Sequence, residues 1–162
     1  MLPEQTLDAA RSLLALLDAH GLTLATAESC TGGLIAAALT AIPGSSAVVA
    51  RGYVTYSNEA KAGMLGIPMG VIEGYGAVSE TVARRMAEGA LRASGAGIAV
   101  SCTGIAGPGG ATPGKPVGLV HMAATRRDGR TVTLRRVFPG DRTAVRAATV
   151  AEVLELARSL AG

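Results

Sequence analysis

Residues 96–102 read Ala-Gly-Ile-Ala-Val-Ser-Cys. The run is apolar without alternation, so a strand formed from it is buried on both faces. Such a strand needs helices above and below it, and the flanking sequence supplies them. Apolar residues at Leu7, Ala10, Leu13, Leu14 and Leu17 recur at helical spacing, and Gly21 ends that helix. Residues 22–27 read as a short strand. Thr31-Gly32-Gly33 then opens a helix that Pro43-Gly44 stops. Extended, β-branched and aromatic residues between 47 and 56 predict a second strand, and Ser57 or Asn58 caps a helix to about residue 65. Residues 66–78, with several glycines and Pro68, are expected to form a loop. Ser79 caps a helix that ends near Gly95. A glycine-rich loop fills 103–116, and Asp128-Gly129 joins two extended runs as a hairpin. Asp141 starts the last helix. Alternating helices and strands with one hairpin predict an α/β fold, a three-layer α/β/α sandwich on a mixed sheet. A length of 162 residues agrees with a single domain over residues 1–162.

Composition narrows the function classes. Hydrophobic residues at 49% and charged residues at 17% exclude a disordered chain. The most apolar stretch, residues 34–50, is broken by Thr40, Pro43, Gly44, Ser45 and Ser46, so no membrane span is expected. The N-terminus lacks a signal-peptide pattern, which leads to an expectation of a cytoplasmic protein. Three Tyr, one Phe and no Trp leave no stacking platform for nucleic acid, and no basic stripe is present. The net charge of +3 is compatible with an anionic small molecule. Cys30 and Cys102 form no C-x-x-C, and His20 and His121 lie elsewhere, so no metal site is expected and both thiols should be free.

Several residues have the chemistry of a site. Ser29 lies between a strand and the turn Thr31-Gly32-Gly33, where unpaired N–H groups at a helix start stabilise an anion, either a phosphate or an oxyanion. The same position also suits a plain N-cap. Of 15 Lys and Arg residues only Lys61 and Lys115 are lysines. Lysine can accept a proton when its pKa falls, and arginine cannot. Lys61 falls in the first turn of a helix, where the macrodipole disfavours a cation. Tyr56 lies five residues earlier, at the strand end, so both side chains are expected to face one pocket. The sequence Ser-Cys-Thr-Gly occurs twice, at 29–32 and 101–104, each time after an apolar strand. Two strand ends that meet at one site would explain it, and so would coincidence. Gly107-Pro108-Gly109-Gly110 lacks the spacing of a P-loop. Arg142 and Arg146 share a helix face, fit either to grip a phosphate or to form surface ion pairs. Cys30 and Cys102 are alternative nucleophiles without a neighbouring His.

Five segments occur together in order: Ala27-Glu28-Ser29-Cys30-Thr31-Gly32-Gly33, the stretch YVTYSNEAK from Tyr53 to Lys61, Gly76-Ala77-Val78-Ser79, Thr103-Gly104-Ile105-Ala106-Gly107-Pro108 with Gly110, and Gly140-Asp141-Arg142. Over nearly the whole chain this pattern resembles the C-terminal domain of the competence/damage-inducible protein CinA. Stand-alone members of that family are nicotinamide-nucleotide amidases. The resemblance implies hydrolysis of the carboxamide of nicotinamide mononucleotide, with Ser29 as nucleophile activated by Lys61 and Tyr56. It places Thr103 and Arg142 in the site. Substrate contacts are then expected from Thr31, Gly32, Gly33, Thr103, Gly104, Gly107, Gly109, Gly110 and Arg142, without a metal or cofactor. It also implies a homodimer or larger assembly. A non-catalytic nucleotide-binding module of the same fold is the alternative.

Overall fold

The computed structural model describes residues 2–162. Five strands form one sheet in the order β2–β1–β3–β4–β5: β1 Leu24–Glu28, β2 Val49–Val54, β3 Ile98–Gly104, β4 Leu119–Arg126 and β5 Thr131–Val137. β1 pairs in parallel with both β2 and β3, and β4 and β5 complete the sheet antiparallel. The α-helices among the described residues are α1 Glu4–Ala19, α2 Leu34–Thr40, α3 Asn58–Leu65, α4 Met69–Tyr75, α5 Glu80–Ser94 and α6 Arg142–Ala161.

Alternation along β3 divides the core in two. Ile98, Val100 and Cys102 pack with residues of α1, α2 and α6 on one face. Ala99 turns to the other face, where Ala25, Ala27, Val82, Met86 and Ala90 form a second cluster with Leu65 of α3 and Ile72 of α4. The sheet presents mainly alanines to this side, so α5 lies close enough for Ser101 Oγ to donate to Ala83 O at 2.5 Å. The three-layer α/β/α sandwich on a mixed sheet predicted from sequence is the observed fold.

Two local expectations fail for identifiable reasons. Residues 69–75, expected as loop, form α4. Gly70 and Gly74 lower the helix propensity by about 1 kcal/mol each, which hides the element. Pro68 fixes the entry with φ −57°, and Ile72 docks the helix into the second core. The second helix begins at Leu34 rather than at Thr31, because Gly32 and Gly33 take φ of 57° and 108°. Residues 31–33 therefore form a turn that precedes the helix.

The chain leaves β1 toward β2 on one side and later returns to β3 on the other. The carboxyl ends of β1 and β3 are thus neighbours at a topological switch point, where open α/β sheets form binding crevices.

Gly89 in mid-α5 has no room for a side chain, since a Cβ there would collide with the Leu65 carbonyl at the end of α3. Overpacking costs about 1–3 kcal/mol, against at most about 1 kcal/mol gained when alanine replaces glycine in a helix. Gly89→Ala should lower Tm by a few degrees. Gly74→Ala, with nothing within 4 Å of its Cβ, should raise Tm, and thermal unfolding of both variants checks the pair.

Candidate active site

Ser29 is the first residue after β1. Its N–H donates to Cys102 O at 3.1 Å and extends the β1–β3 pairing by one residue. Thr55, just beyond β2, donates its N–H to Glu28 O at 2.8 Å. The two strand ends are thereby held together, and α3 starts directly after them. Ser57 caps α3 by accepting from Ala60 N at 3.0 Å.

That geometry turns Lys61 inward, leaving it 1% exposed. Its Nζ lies 3.0 Å from Ser29 Oγ, 2.8 Å from Thr55 O and 3.3 Å from Tyr56 O. An ammonium donates to all three oxygens. The neutral amine suits them equally well, with two protons on the carbonyls and the lone pair toward the serine hydroxyl. Burial lowers the Lys61 pKa from its ordinary value, while the neighbouring thiols Cys30 and Cys102 oppose the shift. No carboxylate pairs with the amine among the described residues.

Ser29 and Lys61 open into a cavity of about 270 Å³. Cys30, Tyr56, Asn58 and Arg142 line it together with Thr103, Gly104, Gly107, Gly109 and Gly110. The N–H groups of Ala106, Gly107, Gly109 and Gly110 have no main-chain partner among the described residues. Unpaired donors at one wall suit an anion. Gly107 is required where it stands, with φ 85° and a Cβ position 2.5 Å from Val117 Cγ1.

Other expected residues take different places. The Tyr56 side chain is 61% exposed. Its phenol oxygen accepts from Arg142 Nη2 at 3.1 Å, and only its main-chain carbonyl reaches Lys61. Tyr56 and Lys61 line one cavity, but the phenol does not stand between lysine and serine. Thr103 commits its hydroxyl to Ala77 O at 2.8 Å. Thr31, Gly32 and Gly33 do not line the cavity. Thr31 is fully buried. The first turn of α2 is no open anion site either, because Ile35 N and Ala36 N donate to the Glu28 carboxylate at 2.8 and 3.0 Å. The buried acid at the end of β1 thus takes the N–H groups of residues 35 and 36.

Arg142 and Arg146, in the first two turns of α6, act on neighbouring walls. Asp141 caps the helix by accepting from Ala144 N at 2.9 Å. Arg142 Nη1 donates to Gly107 O at 2.8 Å, so it ties the glycine loop to Tyr56. Arg146 donates to Cys30 O at 3.1 Å and Thr31 O at 3.2 Å. Neither forms an ion pair among the described residues, and Arg146 is already committed to the turn after Ser29. Cys30 and Cys102 are free and buried. A hydrogen bond to Cys102, followed by burial, pushes the Cys30 thiol far up, which makes it a poor nucleophile.

Sequence reasoning missed Asn58, Glu28 and the grip of Arg146. Glu28 carried a signal, since a lone acid ended an otherwise uncharged strand directly before the glycine turn. Asn58 carries the signal of a cap alone, and Arg146 carries none that distinguishes a carbonyl grip from a phosphate grip.

The CinA C-terminal domain model matches residues 6–161. A CinA-like protein of Akkermansia muciniphila is 56% identical over 125 residues, covering 77% of this chain and 30% of that protein. This chain therefore spans about a third of such CinA-like relatives. A shorter relative, the nicotinamide-nucleotide amidohydrolase PncC of Enterobacter agglomerans, is 54% identical over 132 residues, covering 82% of this chain and 80% of that protein. The crystal structure of the competence/damage inducible protein CihA from Agrobacterium tumefaciens superimposes with a TM-score of 0.97 at 48% identity, covering 100% of this chain and 99% of that one. The chain belongs to the CinA C-terminal domain family.

Proposed function

We propose that the protein hydrolyses the carboxamide of nicotinamide mononucleotide to nicotinate mononucleotide and ammonia. The observation that carries this reading is the buried Lys61 Nζ, 3.0 Å from Ser29 Oγ at the floor of the cavity. The name of the Enterobacter agglomerans relative supports the choice of substrate.

As a neutral amine, Lys61 takes the Ser29 proton while Oγ attacks the amide carbon. The resulting ammonium passes that proton to the nitrogen as the C–N bond breaks, and ammonia leaves. Water then attacks the seryl ester. Its proton passes through Lys61 to Ser29 Oγ, and nicotinate mononucleotide departs. Thr55 O and Tyr56 O hold the amine in place through both charge states. The unpaired N–H groups of the glycine loop, with Arg142 beside them, receive the substrate phosphate. Tyr56 acts through Arg142 rather than on the serine proton.

Ser29→Ala should leave Tm near that of the parent and reduce ammonia release by several orders of magnitude. Near-normal release would remove Ser29 from the mechanism. No release by the parent protein, combined with tight binding of the mononucleotide, would instead favour a binding module.

Lys61→Arg should be nearly as damaging as Lys61→Ala, because arginine stays protonated and cannot accept the serine proton. Activity requires the neutral amine, so kcat/KM should rise with pH through the lowered Lys61 pKa. The unfolded chain keeps the ordinary value of 10.5. Between the two values it binds more protons than the folded chain, so stability also rises with pH across that window. A rate–pH profile without this acid limb would assign proton transfer to another group.

Arg142→Ala should raise KM about ten- to a hundredfold, since a charge-assisted hydrogen bond contributes roughly 1.5–3 kcal/mol. The parent should also prefer nicotinamide mononucleotide to the riboside. Equal kcat/KM for the two would remove the phosphate contact.

A further inference from the structure

The mechanism above uses Ser29 and Lys61 and leaves a second set of buried polar groups at the same strand end without a task. Glu28 is 1% exposed, Thr31 and Cys102 are fully buried, and Cys30 is 6% exposed. Glu28 makes no ion pair among the described residues. A buried acid without a cation is costly unless hydrogen bonds satisfy it. Its oxygens accept from Ile35 N, Ala36 N and, at 2.5 Å, from the Thr31 hydroxyl.

The order of protons follows from counting donors. Thr31 has one hydroxyl proton, and Glu28 takes it. The 3.2 Å contact between Thr31 Oγ1 and Cys102 Sγ therefore receives its proton from the thiol. The donors run in one direction from Cys102 through Thr31 to Glu28. Ser29 sits between Glu28 and Cys30 in sequence, and its own N–H is held by the Cys102 carbonyl.

We propose that this one-way chain of side-chain hydrogen bonds positions the nucleophile, with Glu28 as its anchor and Thr31 as its central link. Its task is to keep Ser29 Oγ within reach of Lys61 Nζ. The main chain of the turn is secured separately by Arg146, so breaking the side-chain chain should loosen Ser29 without unfolding the protein. The inference rests on the reading of Ser29 as the nucleophile.

Thr31→Val is nearly isosteric and removes both the donor and the acceptor, whereas Thr31→Ser keeps them. Three readouts separate the possibilities: kcat and KM on nicotinamide mononucleotide, the rate at which a fluorophosphonate labels Ser29 by mass spectrometry, and Tm. Thr31→Val should lower kcat by about tenfold or more, with KM within about twofold, and should slow labelling comparably. Thr31→Ser should recover most of both rates. A merely structural role would lower Tm while leaving the labelling rate of folded protein unchanged. Equal rates for the Val and Ser variants overturn the proposal, as does an effect confined to KM. If Thr31→Val does not fold, Cys102→Ala against Cys102→Ser decides on the same terms. If the parent is labelled but releases no ammonia, the proposed function fails and labelling alone judges the chain. If the parent neither reacts nor is labelled, both readings fall.

Discussion

A lysine amine is buried at the end of β1 with only neutral oxygens around it. Most of the surrounding architecture can be read as the means of holding it there. A lone ammonium in an apolar interior is strongly disfavoured, so the fold has to bring acceptors to it. Two of them are main-chain carbonyls at the end of β2, fixed by the Thr55–Glu28 hydrogen bond between strands. The third is the serine at the end of β1. A shift of either strand end would separate the amine from its partners. The parallel pairing of β1 with β2 and β3 is thus a condition for this contact as well as for the core.

A few residues away, a buried carboxylate is satisfied without touching that amine. Glu28 is held by α2 and Thr31, and Lys61 by β2 and Ser29. A direct ion pair would have stabilised the ammonium and raised its pKa. Keeping the two charges on separate partners leaves burial as the dominant influence on Lys61. A lysine meant to accept a proton needs that separation.

Much of this was legible in the chain. Ser29 stood out because a strand ran into a double-glycine turn, and Lys61 because the chain otherwise prefers arginine. The layered fold followed from the uncharged run at 96–102 and the hairpin at Asp128-Gly129. What stayed hidden depended on tertiary contacts. Helix α4 carries two glycines and is held by Ile72 alone among its buried residues. The direction of Tyr56 depended on Arg142, which is far away in sequence. Thr31 and its glycines had the composition of an anion site, yet the adjacent acid had already occupied the helix start. A local pattern names the donors of a turn but does not say which acceptor reaches them first.

Arg142 links the glycine loop to Tyr56, two walls of the cavity, through its side chain alone. Both the arginine and the tyrosine are exposed. Rotamers of exposed side chains exchange within picoseconds to nanoseconds, whereas loop and domain rearrangements are far slower. The phosphate of the proposed substrate would compete with two uncharged oxygens for the guanidinium, and a charge-assisted hydrogen bond is the stronger of the two. On the proposed function, entry of that phosphate then turns on a swap of partners by one side chain.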